Sequence, residues 1–379
     1  MSTSPLKTTS TRPRLREARE ALASEGQIPE GLVEPWLQRS WERSRAAGLS
    51  PTGRTTGVPY ASARQLARAR EQSRELLDLA RPVMEFLFEQ TRGTDSLILL
   101  ADAEGMLLES LGDIAFADRA ERVALRPGAS WHEQWRGTNA IGTSLAERRA
   151  VVVQGGQHYL ARNAFLTCAA APIIDPTGQA IGVLDISGDH REAHAHTLGL
   201  ARSGARMVEH RLFETRHRHG LWLRVHPRRE GLGGLTEGLL ALDGTGHVIG
   251  ANTVATALLQ LQPGDIGGVR IESLFDLDVT ALMHWSRSTS GADLPRRLHR
   301  PDGEPLWAGV DLRPGPRATP ADIVEASSAN TPRGTAAPLD PIDPLDPDQV
   351  VRACNGNLSE AARRLGMSRT TLYRRLRSQ

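Results

Sequence analysis

The last twenty-five residues, "NGNLSEAARRLGMSRTTLYRRLRSQ" (355–379), gather groups that bind anions and base edges. Between 359 and 379 there are six arginines and one acid, Glu360, a local charge of +5 in a chain whose formal net charge is +2. Leu358, Ala361, Ala362 and Leu365 fall on one helical face, Gly366 suits a left-handed residue after the last turn, and Ser368 caps a second helix. On that second helix Leu372 and Leu376 face inward, while Arg369, Thr370, Tyr373, Arg374 and Arg377 face outward. Arginine pairs bidentately with guanine O6 and N7, and serine or threonine hydroxyls at a helix start hold phosphates. Arginines on a terminal helix are often only a solvated face. Here the turn glycine, the caps and the apolar spacing coincide with the charge, as a helix-turn-helix DNA reader requires.

A second candidate lies in "SWHEQWRGTNAIGT" (130–143). Small-ligand pockets have apolar and aromatic walls with few polar groups. Trp131, His132, Trp135, Asn139 and, downstream, His158 are the residues of that type, so a small-molecule effector is expected against them. The competing reading makes Thr138 and Asn139 the cap of a helix starting near Ala140 and places the tryptophans in the core.

No catalytic constellation is found. H-E-x-x-H and G-x-S-x-G are absent, and Asp185, Ser187 and His190 stand too close in sequence to prefer a triad over a loop. His190 and His194 are spaced for one helix face, but two ligands make weak evidence for a metal. No catalytic residue, metal or cofactor is therefore expected. The two cysteines, Cys168 and Cys354, cannot build a disulfide framework, and Cys168 in "FLTCAAAPII" reads as a buried small hydrophobe.

The elements that must position these groups follow from pattern. Residues 1–27 are polar and read as disordered, and "VEPWLQRSWERSRAAGLSP" (33–51) is an amphipathic helix. Residues 61–93 read as one long helix kinked at Pro82, suited to pairing two copies. Strand pairs are expected over 96–113 and 166–189, a further strand over 150–156, and a closing helix over about 194–214. The pattern restarts over 232–313 with strand, turn, strand, small helix and a later hairpin. Residues 314–347 contain eight prolines and read as a linker. The expected organisation is a leader with an amphipathic helix (1–60), an α+β sensor (61–215), a smaller α+β domain (230–313), a linker (314–344) and an all-α reader (345–379). No apolar run reaches the ~18 to 20 residues of a membrane helix and no signal peptide is evident, so a cytoplasmic protein with no membrane partner is expected.

Three segments resemble known families. "VVRACNGNLSEAARRLGMSRTTLYRRLRSQ" resembles the Fis-type DNA-binding domain that ends bacterial enhancer-binding activators. That resemblance implies a dimer on inverted half-sites of double-stranded DNA. It places Ser368, Arg369 and Thr371 at DNA-contacting positions, and Arg374 and Arg375 at phosphate-contacting ones. "SWERSRAAGLSP", "GASWHEQWRGTNAIGTSLAERRAVVVQGGQHYL" and "AAAPIIDPTGQAIGVLDISGD" resemble the GAF sensor of the acetoin and glycerol catabolism activators. "GANTVATALL" and its surroundings look like a PAS-type domain.

Activators of that kind carry an AAA+ ATPase between sensor and reader, with G-x-x-x-x-G-K-[ST]. Lys7 is the sole lysine of this chain, so such a loop cannot occur in it, and the "GAFTGA" loop that touches sigma-54 is absent. The sequence therefore reads as a non-catalytic DNA-binding regulator that does not itself drive sigma-54 promoters. Two rivals stand beside it: a co-regulator that pairs with and blocks a full-length activator, and an enzyme or signalling protein acting through the sensor pocket.

Overall fold

A computed structural model describes residues 12–53, 58–192, 196–287 and 294–313. They belong to one compact unit, 1–315. The linker and the reader, including Ser368, Arg369, Thr370, Thr371, Tyr373, Arg374 and Arg375, lie outside the described residues, as does His194.

Four helices come first: α1 (Arg12–Ser24), α2 (Pro35–Ala46), α3 (Ala63–Gln72) and α4 (Arg74–Thr91). They lead into β1 (Ser96–Asp102), β2 (Leu107–Gly112), α5 (Ile114–Glu121), α6 (Glu133–Arg136), α7 (Ala140–Glu147), β3 (Val151–Gln154), β4 (Leu166–Ile174), β5 (Ala180–Asp189) and α8 (Thr197–Arg216). The five strands form one antiparallel sheet in the order β2-β1-β5-β4-β3. Both of its faces are covered, which is why "SLILLAD" and "LTCAAAPII" run apolar without alternation. On one face Leu76, Ala80, Val83 and Leu87 of α4 and Ala201, Ala205 and Val208 of α8 pack on Ile98, Leu100, Leu184 and Ile186. On the other, Leu97, Leu99, Cys168, Ala170 and Val183 meet Phe116, Trp131 and Ile141.

The amino-terminal region departs from expectation. From residue 12 the segment read as disordered is the helix α1, whose Leu15, Ala18 and Leu22 pack with Leu37, Trp41, Tyr159 and Leu160. Three apolar residues among charges make a narrow stripe, legible only once a partner surface is known. Arg19 on the same helix bonds the carbonyls of Gly156, His158 and Tyr159 and stacks 4.6 Å above Trp41. The long helix divides at Ser73 rather than at Pro82. Pro82 sits inside α4 at an exposed position, on the side where Asp78, four residues before it, is exposed as well.

A second sheet follows: β6 (Gly220–His226), β7 (Gly238–Leu242), β8 (Val248–Ala251), α9 (Thr253–Leu259), α10 (Ile271–Leu274), α11 (Val279–Arg287), β9 (Arg296–His299) and β10 (Pro305–Arg313). Its order is β8-β7-β6-β10-β9, again antiparallel throughout. The two sheets share one plan: an edge hairpin on each side of a central strand. In the first sheet the central strand, β5, comes last; in the second the central strand, β6, comes first. The boundary at 230 drawn from sequence therefore leaves out the strand on which the second sheet is built. Leu221, Leu223, Val225, Leu240, Val310 and their neighbours pack under Ala255, Phe275, Leu282 and Trp285. The other face meets α8, with Phe213 edge-on to Trp222 at 4.8 Å.

The turn between β4 and β5 reaches the second sheet. The Ala251 amide donates to the Pro176 carbonyl at 2.8 Å. Buried Glu209 of α8 accepts from the Ile174 amide at 2.9 Å and the Thr253 hydroxyl at 2.6 Å. Gly178, at φ +84°, brings its backbone so close to Pro263 that a Cβ would stand 3.0 Å from it. Among the described residues no helix is long and apolar enough to cross a membrane.

Candidate functional site

The segment 130–143 is built for cohesion. Asn139 caps α7, its Oδ1 accepting from the Gly142 amide at 2.9 Å while its Nδ2 donates to the Trp131 and Gly137 carbonyls. Gly142 is required because a Cβ would stand 2.7 Å from the Glu133 amide and 2.8 Å from the Trp131 carbonyl. Trp131 is core, with its Nε1 donating to the Ala124 carbonyl at 3.0 Å. The Arg136 guanidinium lies 5.4 Å above the Trp131 ring and bonds the Ser130 and Val123 carbonyls, and burial pushes it down to about 10. His132 is exposed and caps α6, accepting from the Gln134 amide, and Trp135 is half-buried. Trp131 and Asn139 are thus joined by a hydrogen bond, His132 and Trp135 lie toward solvent, and His158 belongs to a different group.

Two of the sequence segments singled out above meet through a polar knot that sequence reasoning missed. Glu133 Oε1 accepts from the Ser40 hydroxyl at 2.5 Å and the Thr143 hydroxyl at 2.6 Å, and its Oε2 accepts from Arg43 Nε at 2.6 Å. Ser40 also touches the Thr138 hydroxyl at 2.6 Å, and Arg43 reaches Glu147 at 2.9 Å. Glu147 pairs with Arg39 as well, and these guanidinium bonds hold its carboxyl below the usual range. The knot locks α2 over the loop that closes the sheet. All of its buried polar atoms are satisfied, so it is a structural device.

A second polar group, on the sheet itself, is not satisfied. Asp185 sits in the middle of the central strand β5, between Leu99 and Ala170 on the neighbouring strands, and is fully buried on the side of Trp131 and Ile141. Its Oδ2 accepts from the Ser187 hydroxyl at 2.5 Å; its Oδ1 has no partner among the described residues. Burial raises its carboxyl to about 7. Beside it Cys168, opposite Ser187 in the strand register, lies 3.6 Å from His158 Nε2. His158 Nδ1 stands 3.1 Å from the Gly155 carbonyl, which can only accept, so Nδ1 carries the hydrogen and Nε2 accepts from the thiol. Burial, with Arg19 and His190 nearby, pushes the imidazole down to about 4, so it is neutral; burial raises the Cys168 thiol well above its ordinary value. Asn163, five residues along the same loop and fully buried, has no partner for either amide atom among the described residues. Only an aspartate and a serine interrupting "IGVLDIS" signal this group in the sequence. The triad reading of Asp185, Ser187 and His190 finds no geometric support: His190 Nδ1 faces the Phe165 carbonyl and Asp189.

Residues 11–210 match the family model described as "MimR, N-terminal domain", and residues 348–378 match "Bacterial regulatory protein, Fis family". The acetoin catabolism regulatory protein of Cupriavidus necator is 32% identical over 263 residues, covering 66% of this chain and 39% of that protein. The propane 2-monooxygenase operon transcriptional activator MimR of Mycolicibacterium smegmatis is 30% identical over 199 residues, covering 52% of this chain and 33% of that one. The chain spans well under half the length of the curated relatives it matches. Among solved structures, the E. coli DhaR(N)-DhaL complex aligns over 74% of this chain and 100% of that one at 17% identity with a TM-score of 0.46, too loose a likeness to argue from. The amino-terminal match takes in α1 and α2 together with the first sheet and covers more than half of the chain, which therefore belongs to the MimR amino-terminal-domain family of transcriptional regulators and carries a Fis-family segment near its carboxyl end.

Proposed function

We propose that this chain is a sequence-specific DNA-binding transcriptional regulator whose amino-terminal, GAF-like domain senses a small molecule. It regulates without an ATPase of its own. The observation that carries this reading is the coincidence of the Fis-family segment, 348–378, with the six arginines that the sequence gathers between 359 and 379. Relatives named as operon activators support a regulator over an enzyme. One such reader presents few base contacts, so it acts as a homodimer on two half-sites about one helical turn apart. The helices α3 and α4 supply the contact between copies. The single lysine, Lys7, leaves no P-loop with which to drive ATP-dependent opening of a sigma-54 promoter. That absence favours occlusion of a promoter, or of a full-length relative's site, over activation.

The test is a gel-shift titration on DNA upstream of the adjacent operon. Arg369→Ala should weaken specific binding by about 1 to 3 kcal/mol and relax base preference. Arg374→Ala should weaken all sequences alike and flatten the salt dependence. Wild-type titrations for both variants would contradict the reading.

A further inference from the structure

We propose that the outer face of the second sheet, around Trp307, is the docking site of an extended acidic segment of another protein.

Phe213 of α8 packs on Trp222, Leu239 and Ala241 of that face. Farther along it the strands carry different chemistry. Trp307 of β10 lies between His226 of β6 and Arg297 of β9 in the strand register and is only half-buried. The Arg297 guanidinium stands 5.0 Å from the centre of the indole, and that of Arg229, from the turn after β6, stands 5.8 Å from it. His226 fixes the start of that turn, its Nδ1 accepting from the Arg228 amide at 2.9 Å. A guanidinium stacked on an aromatic ring keeps its N–H edge open, and its planar fork gives up little freedom when that edge pairs with a carboxylate.

These cations lack acids of their own. Elsewhere on the sheet Arg224 pairs with Asp311, Arg300 with Asp302 and Arg313 with Glu214. Arg228, Arg229, Arg296 and Arg297 are exposed and form no ion pair among the described residues. Arg296 lies over the Trp285 ring at 4.8 Å, so the edge strand β9 carries a stacked cation on each of its faces. Strand pairing is what gathers them: "HPRRE" (226–230) and "RRLHR" (296–300) bring five arginines and one acid to one end of the sheet.

The shape and sign of this patch select the occupant. Charge on an edge strand by itself serves to keep sheets from pairing. A tryptophan set among arginines offers more, because these two residue types dominate binding energy at protein interfaces. A second copy of this chain, docked about a twofold axis, would set the arginines against their own kind. A DNA duplex is broad and stiff, and it would also meet Glu230 beside Arg229 and Glu304 at the turn before β10, both exposed. An extended acidic segment needs only the strip between them. The three strands β6, β10 and β9 span about 10 Å, the reach of about three extended residues, and alternate carboxylates of such a segment fall about 7 Å apart on one side.

The experiment is fluorescence anisotropy of the full chain with a labelled peptide of alternating aspartate and serine, in the presence of excess unlabelled duplex that occupies the Fis-family segment. The same peptide with asparagine in place of aspartate is the control. The wild type should bind the aspartate peptide and not the asparagine one. Arg229→Gln combined with Arg297→Gln should weaken that binding by about tenfold or more, with the urea midpoint and the gel shift on duplex unchanged. Trp307→Leu should weaken it in the same direction; if that variant fails to fold, the arginine pair alone decides. A wild type that binds neither peptide, or an arginine variant that binds the aspartate peptide as the wild type does, would overturn the proposal. So would loss of duplex binding in the arginine variant, which would make the occupant DNA, or a change in its oligomeric state by light scattering, which would make the occupant a second copy.

Discussion

The chain builds the same five-stranded plan twice and fills the two buried faces differently. Leu223 and Asp185 occupy the same place, mid-way along the central strand and facing the core, yet one is an aliphatic side chain and the other a carboxyl of similar shape with one oxygen unpartnered among the described residues. The covers differ in kind as well. The second sheet lies under aliphatic and aromatic side chains of α9, α10 and α11. The first is closed by a loop that a buried ionic knot ties to α2. A core filled only by size and hydrophobicity gives stability; a core that retains unsatisfied polar groups gives up stability for something else, most often recognition.

The largest effect is expected from importing the difference. Leu223→Asp would place an unpaired carboxyl among Leu240, Val310 and Trp285 and should destabilise by about 4 to 5 kcal/mol or more, seen as loss of the cooperative urea transition of the second sheet. A mild effect would mean that the second face tolerates charge and that the contrast between the sheets is empty.

Cutting the knot comes next. Glu133→Ala leaves half-buried Arg43 with Glu147 alone and takes the carboxylate acceptor from the Ser40 and Thr143 hydroxyls, and should cost about 3 to 5 kcal/mol in urea denaturation. The loss should be recovered only in small part by removing Arg43 as well, because the Ser40 and Thr143 hydroxyls have still lost their carboxylate acceptor.

A pH series sharpens the contrast further. Asp185 is held near 7, above an unfolded carboxyl near 4, so the folded state binds more protons between those values and its stability falls as pH rises through that window. Glu209, also near 7, adds a fall of the same sign. His158, lowered to about 4 from an unfolded value near 6.5, acts oppositely, its contribution growing as pH rises across its own window. The clean observable is the difference between wild type and Asp185→Leu. The pH-dependent part of the variant's advantage should be near zero at pH 4 and grow to about 4 kcal/mol above pH 7, read from urea midpoints. A difference that stays flat with pH would mean that Asp185 titrates normally and is not desolvated.

The smallest effects should be alike on the two sides. Asn139 caps α7 beside the first sheet, and Asn252 caps α9 beside the second, its Oδ1 accepting from the Ala255 and Leu239 amides and its Nδ2 donating to the Glu237 carbonyl. Asn139→Ala and Asn252→Ala should each cost about 1 to 2 kcal/mol. Unequal losses well outside that range would show that one cap does more than hold a helix.

What the sequence made legible was local. The turns at Gly105 and Gly178, the cap at Asn139 and the strand pairs over 96–113 and 166–189 are written in neighbouring residues, and the structure has them there. What escaped was made by distance. Ser40 and Glu133 stand 93 positions apart, and each reads alone as a surface polar residue. Arg19 in a charged leader gives no hint that it will cap the carbonyls of a loop 137 to 140 residues away. The central role of β6 depends on pairing with β10, far along the chain, so "GLWLRVH" fell unassigned between the closing helix expected to about 214 and the pattern expected to restart at 232. Trp131 and Asn139 drew attention as polar and aromatic residues in one loop, whereas the group with unmet hydrogen bonds sits on strands whose periodicity marked them only as buried.

The most direct test of the central claim, that Asp185 is kept in the sensor sheet at a cost in stability, is the urea midpoint of Asp185→Leu against wild type at pH 7.5 without added ligand. Replacing a buried, half-satisfied carboxyl by an aliphatic group of the same shape should raise stability by about 1 to 3 kcal/mol, even though it leaves the Ser187 hydroxyl without its acceptor. A variant less stable than wild type by a similar amount would show that Asp185 is an ordinary structural partner in a satisfied core, and would contradict the account.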